Sequence, residues 1–113
     1  MNIDKLYYVN LDRRIDRKQK MESQINSIDC LKTMERYPAI DWKDINFENE
    51  VLLDKLYTKK SKGYRLGISL TPGLVALHNT FAEIYKKNLF KNYGNILICE
   101  DDVVFVKGFN EKF

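Results

Sequence analysis

An apolar run, Ile96-Leu97-Ile98-Cys99, breaks into three carboxylates, Glu100-Asp101-Asp102, and resumes with Val103-Val104-Phe105. A run without polar alternation reads as a strand covered on both faces, the situation of a parallel sheet flanked by helices. Carboxylates at the end of such a strand are costly to desolvate, so they call for a compensating cation or a solvated cleft. Mg²⁺ and Mn²⁺ suit the first case, because they favour oxygen ligands and take one or two carboxylates while substrate phosphates fill other positions. A solvated turn that closes the strand is the other case, and the motif alone leaves both open. Successive strand side chains alternate in face, so Glu100 and Asp102 share one side and Asp101 takes the other. Glu100 and Asp102 are therefore the candidate metal ligands, with Asp102 the better placed because it lies further past the strand end.

The rest of the chain reads as strands alternating with helices. Lys5-Leu6-Tyr7-Tyr8-Val9 is aromatic and branched, and it stops at Asn10-Leu11-Asp12, which predicts a strand and a polar turn. A helix follows, with Asp12 or Asp16 available at its start and Met21, Ile25 and Ile28 recurring at spacings of four and three; its exit falls near residues 27–30. Residues 32–37 read as a second strand closed by Pro38. Residues 47–57 have helix-like spacing through Val51, Leu52 and Leu56, and the basic stretch 59–65 around Gly63 reads as an exposed loop. Thr71-Pro72 is a sharper signal: Thr caps helices well, and Pro is favoured at the first helical position. It predicts a helix over residues 72–88 with an apolar stripe of Leu74, Leu77, Phe81, Ile84 and Tyr85, and then a turn through Asn92, Gly94 and Asn95 into the strand at 96–99. Alternating strands and helices imply a mostly parallel α/β sheet. Ligands of such sheets bind beyond the carboxyl ends of the strands, where residues 10–14 and 100–102 fall.

Composition narrows the function classes. The 113 residues suit one domain with one core, and 44% hydrophobic with 31% charged residues describe an ordinary globular chain. No apolar run approaches the roughly 18 residues of a membrane span, and the N-terminus lacks a signal-peptide pattern, so a cytoplasmic location is the expectation. Cys30 and Cys99 are then expected as free thiols, Cys99 within a strand. One histidine, His78, and no Cys-x-x-Cys exclude the usual zinc spacings. The net charge is +3, with basic clusters at residues 12–20 and 59–65 that suit phosphates. Neither cluster shows the basic and aromatic interleaving or the docking helix expected of a nucleic-acid binder.

Three blocks together resemble glycosyltransferase family 25, which includes bacterial lipooligosaccharide galactosyltransferases and collagen galactosyltransferases. Tyr8-Val9-Asn10-Leu11-Asp12-Arg13-Arg14-Ile15-Asp16-Arg17 is similar to the family's opening strand and Asn-Leu-Asp-Arg block. Tyr37-Pro38-Ala39-Ile40-Asp41 is similar to its aromatic-x-Ala-Val-Asp segment, and residues 96–105 to its Leu-Glu-Asp-Asp-Val block. Leu70-Thr71-Pro72-Gly73 resembles the start of a segment that runs to a Ser-His pair. Aligned without gaps, that pair falls on Thr80 and Phe81, so the histidine is missing, and His78 lies nearby.

The resemblance implies a GT-A-like, Rossmann-like α/β fold, here the N-terminal part of a longer enzyme. It implies transfer of a hexose such as galactose from a UDP-sugar to the hydroxyl of a glycan, lipid-linked glycan or protein acceptor, with inversion. Asn10, Asp12, Arg13, Arg14 and Asp101 are then expected at the nucleotide, and Glu100 and Asp102 at Mn²⁺ or Mg²⁺. For the arginines, pairing with Asp12 or Asp16 is the alternative. Inverting transfer also needs a general base near the acceptor hydroxyl, which these residues do not identify and which is expected in the C-terminal half. A noncatalytic remnant that keeps only the nucleotide-binding half is the first rival. A phosphoreceiver domain fits worse, since its acidic pair follows the first strand. A plain α/β interaction domain is the third reading.

Overall fold

The computed structural model describes residues 2–44 and 72–112. The predicted helix at 47–57, the loop at 59–65 and the Thr71 cap lie outside these residues. The chain groups into two units, Met1–Ala39 with Ile84–Phe113, and Ile40–Glu83.

The first unit holds three strands, β1 (Lys5–Asn10), β2 (Met34–Pro38) and β3 (Ile96–Glu100), in the order β2-β1-β3 with both pairings parallel. The α/β class and the parallel sheet are as the sequence predicts. β1 lies in the middle, and its burial explains its composition: Leu6, Tyr7, Tyr8, Val9 and Asn10 are all buried. Tyr8 lies opposite Arg36 on one side and Cys99 on the other, and Val9 lies opposite Tyr37 and Glu100. Pro38 has no N–H for the ladder, and the chain steps past it: the Ala39 amide donates to the Asn10 carbonyl at 3.0 Å.

Helix α1 (Ile15–Ile25) covers the face that carries Leu6 and Tyr8. Met21 and Ile25, four residues apart, pack with Leu6, Tyr8 and Cys99, and Leu31, Leu97, Val103 and Phe105 close the cluster. Truncating the fully buried Met21 to Ala costs about 2–5 kcal/mol in such a core. The segment after β3 is fastened to α1 by an amide. The Gln24 side chain donates to the Val103 carbonyl at 3.1 Å and accepts from the Phe105 amide at 3.0 Å, and so stands in for a neighbouring strand. Further on, within the short helix α3 (Phe109–Lys112), Asn110 accepts from the Asp29 amide and donates to the Ser27 carbonyl.

Helix α2 (Pro72–Asn88) matches the predicted span, and its last turn belongs to the first unit. There Asn88 Oδ1 accepts from the Tyr7 hydroxyl at 3.1 Å, on the sheet face opposite α1. On that face Glu35 bridges Lys5 and Lys87; burial alone would raise its carboxyl, but the two ammonium groups outweigh this and hold it below its ordinary value. Tyr37 meets Tyr7 edge to face, with ring centroids 6.3 Å apart.

The predicted stripe of α2 is partly displaced. Tyr85 is 64% exposed, whereas Val75, Ala76, Thr80 and Ile84 are buried. Ala76, Thr80 and Ile84 repeat every four residues, and a threonine joins that seam because its hydroxyl is satisfied: it donates to the Ala76 carbonyl at 2.9 Å. In the second unit the same oxygen accepts from the Ile40 amide at 3.0 Å, just before a 3₁₀ turn at Trp42–Asp44.

Candidate functional site

With β2 and β3 on opposite sides of β1, the strand order reverses between β1 and β3, which marks the crevice where open α/β sheets take ligands. Asn10 ends β1 and Asp101 follows β3. The register that sets Tyr8 opposite Cys99 puts both on one face, and Asn10 Nδ2 donates to Asp101 Oδ2 at 2.7 Å. Asn10 is 1% exposed, and both polar atoms of its side chain and its carbonyl are used. Nδ2 also donates to the Arg14 carbonyl at 3.1 Å, and Arg36 reaches both its oxygens. Such an asparagine fixes three segments relative to one another: the end of β1, the entry of α1 and the acidic turn.

The charged groups fall into two tiers around it. Asp101, with its side chain 10% exposed, pairs with Arg17 Nη1 at 3.2 Å. Arg36 Nη2 extends from the Asn10 carbonyl to Asp12 Oδ1 at 2.6 Å. Arg14 grips Asp16 with two hydrogen bonds of 2.9 and 3.0 Å, and that bonding holds the Asp16 carboxyl at about 2 and raises the Arg14 guanidinium. Neither Asp12 nor Asp16 serves as the N-cap of α1. That position is Arg14, which makes no side-chain cap bond, because Asp12 is drawn to Arg36 and Asp16 lies inside the first turn.

Of the predicted nucleotide contacts, the structure brings Asn10 and Asp101 into direct contact and joins Asp12 to Asn10 through Arg36. Arg14 faces Asp16, and Arg13 is exposed. Glu100 and Asp102, the predicted metal ligands, are both exposed, on either side of the inward-turned Asp101. Among the described residues no three His, Cys, Asp or Glu side chains gather into a ready-made metal site. Two exposed carboxylates nevertheless fit the way Mg²⁺ and Mn²⁺ are often held, by one or two carboxylates with the substrate's phosphates and water. His78 is exposed and Phe81 half-buried.

Arg17 and Arg36 are site residues that the motif reading passes over. Arg36 carries a legible signal: it is an arginine inside a strand, two residues before the closing proline, which lies opposite Asn10 at the end of β1.

The family model for glycosyltransferase family 25 (LPS biosynthesis protein) matches residues 3–113. The chain belongs to glycosyltransferase family 25. It is 24% identical over 111 residues to a glycosyltransferase 25 family member of Drosophila melanogaster, an alignment that covers 98% of this chain and 18% of that protein. It is 26% identical over 108 residues to a protein of the same name from Drosophila pseudoobscura pseudoobscura, covering 93% of this chain and 16% of that one. This family 25 chain thus spans less than a fifth of the length of these relatives. No solved structure matches it. The opening Asn-Leu-Asp-Arg block and the acidic block both fall within the match, and they are the two segments that Asn10 and Asp101 join.

Proposed function

We propose that this chain forms the donor-binding part of a glycosyltransferase that moves a hexose, galactose or a close relative, from a UDP-sugar to an acceptor hydroxyl with inversion at the anomeric carbon. One observation carries the reading. In a chain of family 25, the Asn10–Asp101 contact assembles the opening block and the acidic block at the strand-order reversal of a parallel sheet, where nucleotides bind.

In this reading the main work of the described residues is to hold charge in place. Arg13 and Arg14, at the entry of α1, would meet the diphosphate, for which the planar guanidinium fork is suited, Arg14 by exchanging its Asp16 partner for it. Asp101, braced by Asn10 and Arg17, holds the turn, and Asp12 is oriented by Arg36. Glu100 and Asp102 would hold Mn²⁺ or Mg²⁺, which when bound neutralises diphosphate oxygens and stabilises the UDP leaving group. Acceptors of the transfer are a glycan, a lipid-linked glycan or a protein hydroxyl. Since the chain aligns with 18% of its Drosophila melanogaster relative, a second reading has support: this chain binds the nucleotide and does not itself catalyse transfer.

Calorimetric titration with UDP, with and without Mn²⁺, tests the donor site. Binding that needs the metal and falls at least tenfold in Asp102→Asn is the expected result, and no metal-dependent binding overturns the reading. Release of free sugar from UDP-galactose by the chain separates an active enzyme from a binding part.

A further inference from the structure

Residues 84–95 contain three lysines and no acidic residue. They join the end of α2 to β3 and carry an unusual load of apolar surface into water. Phe90 is 99% exposed, Leu89 69% and Tyr85 64%, with Tyr93 and Ile96 also exposed. Beside them runs a groove of about 450 Å³ lined by Ile84, Tyr85, Asn88, Leu89, Ile96 and Ile98. A phenyl ring wholly in water at a turn adds nothing to the fold, and a contiguous apolar patch of this kind marks a binding face.

The charges that flank Leu89 and Phe90 in the chain are basic. Lys86 and Lys91 are exposed on either side of Leu89 and Phe90. Lys87 is tied to Glu35 at 3.0 Å. The carboxylate bonded to this segment, Asp4, accepts from the Gly94 and Asn95 amides and pairs with Lys32, so its charge is already met. Gly94 suits that approach, since a Cβ there would come within 3.1 Å of Asp4 Oδ2. Phe and Leu between exposed lysines is the composition of a surface that sits in a lipid interface.

We propose that this face docks on an anionic phospholipid surface, with Phe90 and Leu89 among the upper acyl chains and Lys86 and Lys91 against the lipid phosphates. Much of the patch is aliphatic, with Ile84, Leu89, Ile96 and Ile98 around the groove. That favours a bilayer over single-stranded nucleic acid, which needs aromatic faces for stacking. The proposal stands apart from sugar transfer, because its residues are not those around Asn10.

Co-sedimentation of the full chain with vesicles tests it, using phosphatidylcholine alone and with about one third phosphatidylglycerol. The chain is expected to sediment with the anionic vesicles and not with the neutral ones, and raised salt should release it. Each lysine replaced in Lys86→Gln and Lys91→Gln should weaken binding about fivefold. Phe90→Ser with Leu89→Ser should weaken it at least tenfold, while the thermal midpoint stays unchanged because both residues are exposed. Absence of binding to anionic vesicles overturns the proposal, as does binding unchanged in these variants. Retention of a single-stranded oligonucleotide in place of vesicles assigns the face to nucleic acid, and a dimer dissolved by Phe90→Ser assigns it to a second copy; either overturns it.

Discussion

The Arg36 guanidinium holds Asn10 by both of its oxygens: Nε donates to the side-chain Oδ1 at 2.9 Å, and Nη2 to the main-chain carbonyl at 3.0 Å. The asparagine amide is thereby turned so that its NH₂ faces Asp101 and the Arg14 carbonyl. Asn10→Ala removes these bonds and leaves Asp101 with Arg17 alone among its hydrogen-bond partners described above. A loss of about 1–3 kcal/mol is expected, read as a lower urea midpoint. In a double-mutant cycle with Asp101→Ala the two losses should fail to add by about 0.5–3 kcal/mol.

Tyr8 gives the fold an alkaline limit. Its ring is fully buried and its hydroxyl donates to Glu22 Oε1 at 2.6 Å. Burial, and then the Glu22 carboxylate, push the phenol well above its ordinary value of 10.0. The unfolded chain therefore loses this proton first, and the folded state binds more protons at alkaline pH. The stability this tyrosine contributes is complete below pH about 10 and falls as pH rises beyond it. Denaturation midpoints measured across that range should drop in the native chain and drop less in Tyr8→Phe.

The two thiols should react at different rates. Cys99 is buried, and desolvation pushes its thiol up to about 11, while Cys30 is half-buried. A disulfide reagent at mildly alkaline pH should modify Cys30 first and Cys99 only as the chain opens. Cys30→Ser should leave only the slow phase.

Thr80→Val keeps the shape of the side chain and removes its oxygen. The Ile40 amide then loses its acceptor, at an expected cost of about 1–3 kcal/mol. Faster hydrogen exchange at Ile40 is the specific signature.

Much of the fold is written locally. Pro72 announces the helix that follows it, Lys5-Leu6-Tyr7-Tyr8-Val9 has the composition of a central strand, and the unbroken run at 96–99 predicts a parallel neighbour. The grouping of Asn10 with the acidic turn was also within reach, because parallel strands bring their carboxyl ends to one edge. The choice among the three carboxylates was not. Alternation alone separates Asp101 from Glu100 and Asp102, but which side faces Asn10 depends on the register between β1 and β3, and no short stretch of sequence encodes that. Arg36 shows its place by the closing proline, but its partners, 24 and 26 residues away, depend on the pairing of β1 with β2. Tyr85 misled because period alone does not distinguish it from its neighbours; the buried seam instead passes through a threonine.

Arg17 and Gln24 lie seven residues apart on α1, two helical turns along one side. The first holds Asp101, and the second holds Val103 and Phe105. A single rigid rod thus grips the acidic turn at its start and the chain just beyond its end, so the turn cannot shift without levering the helix. Asp101 and the chain that follows it thus share one anchor, the α1 helix.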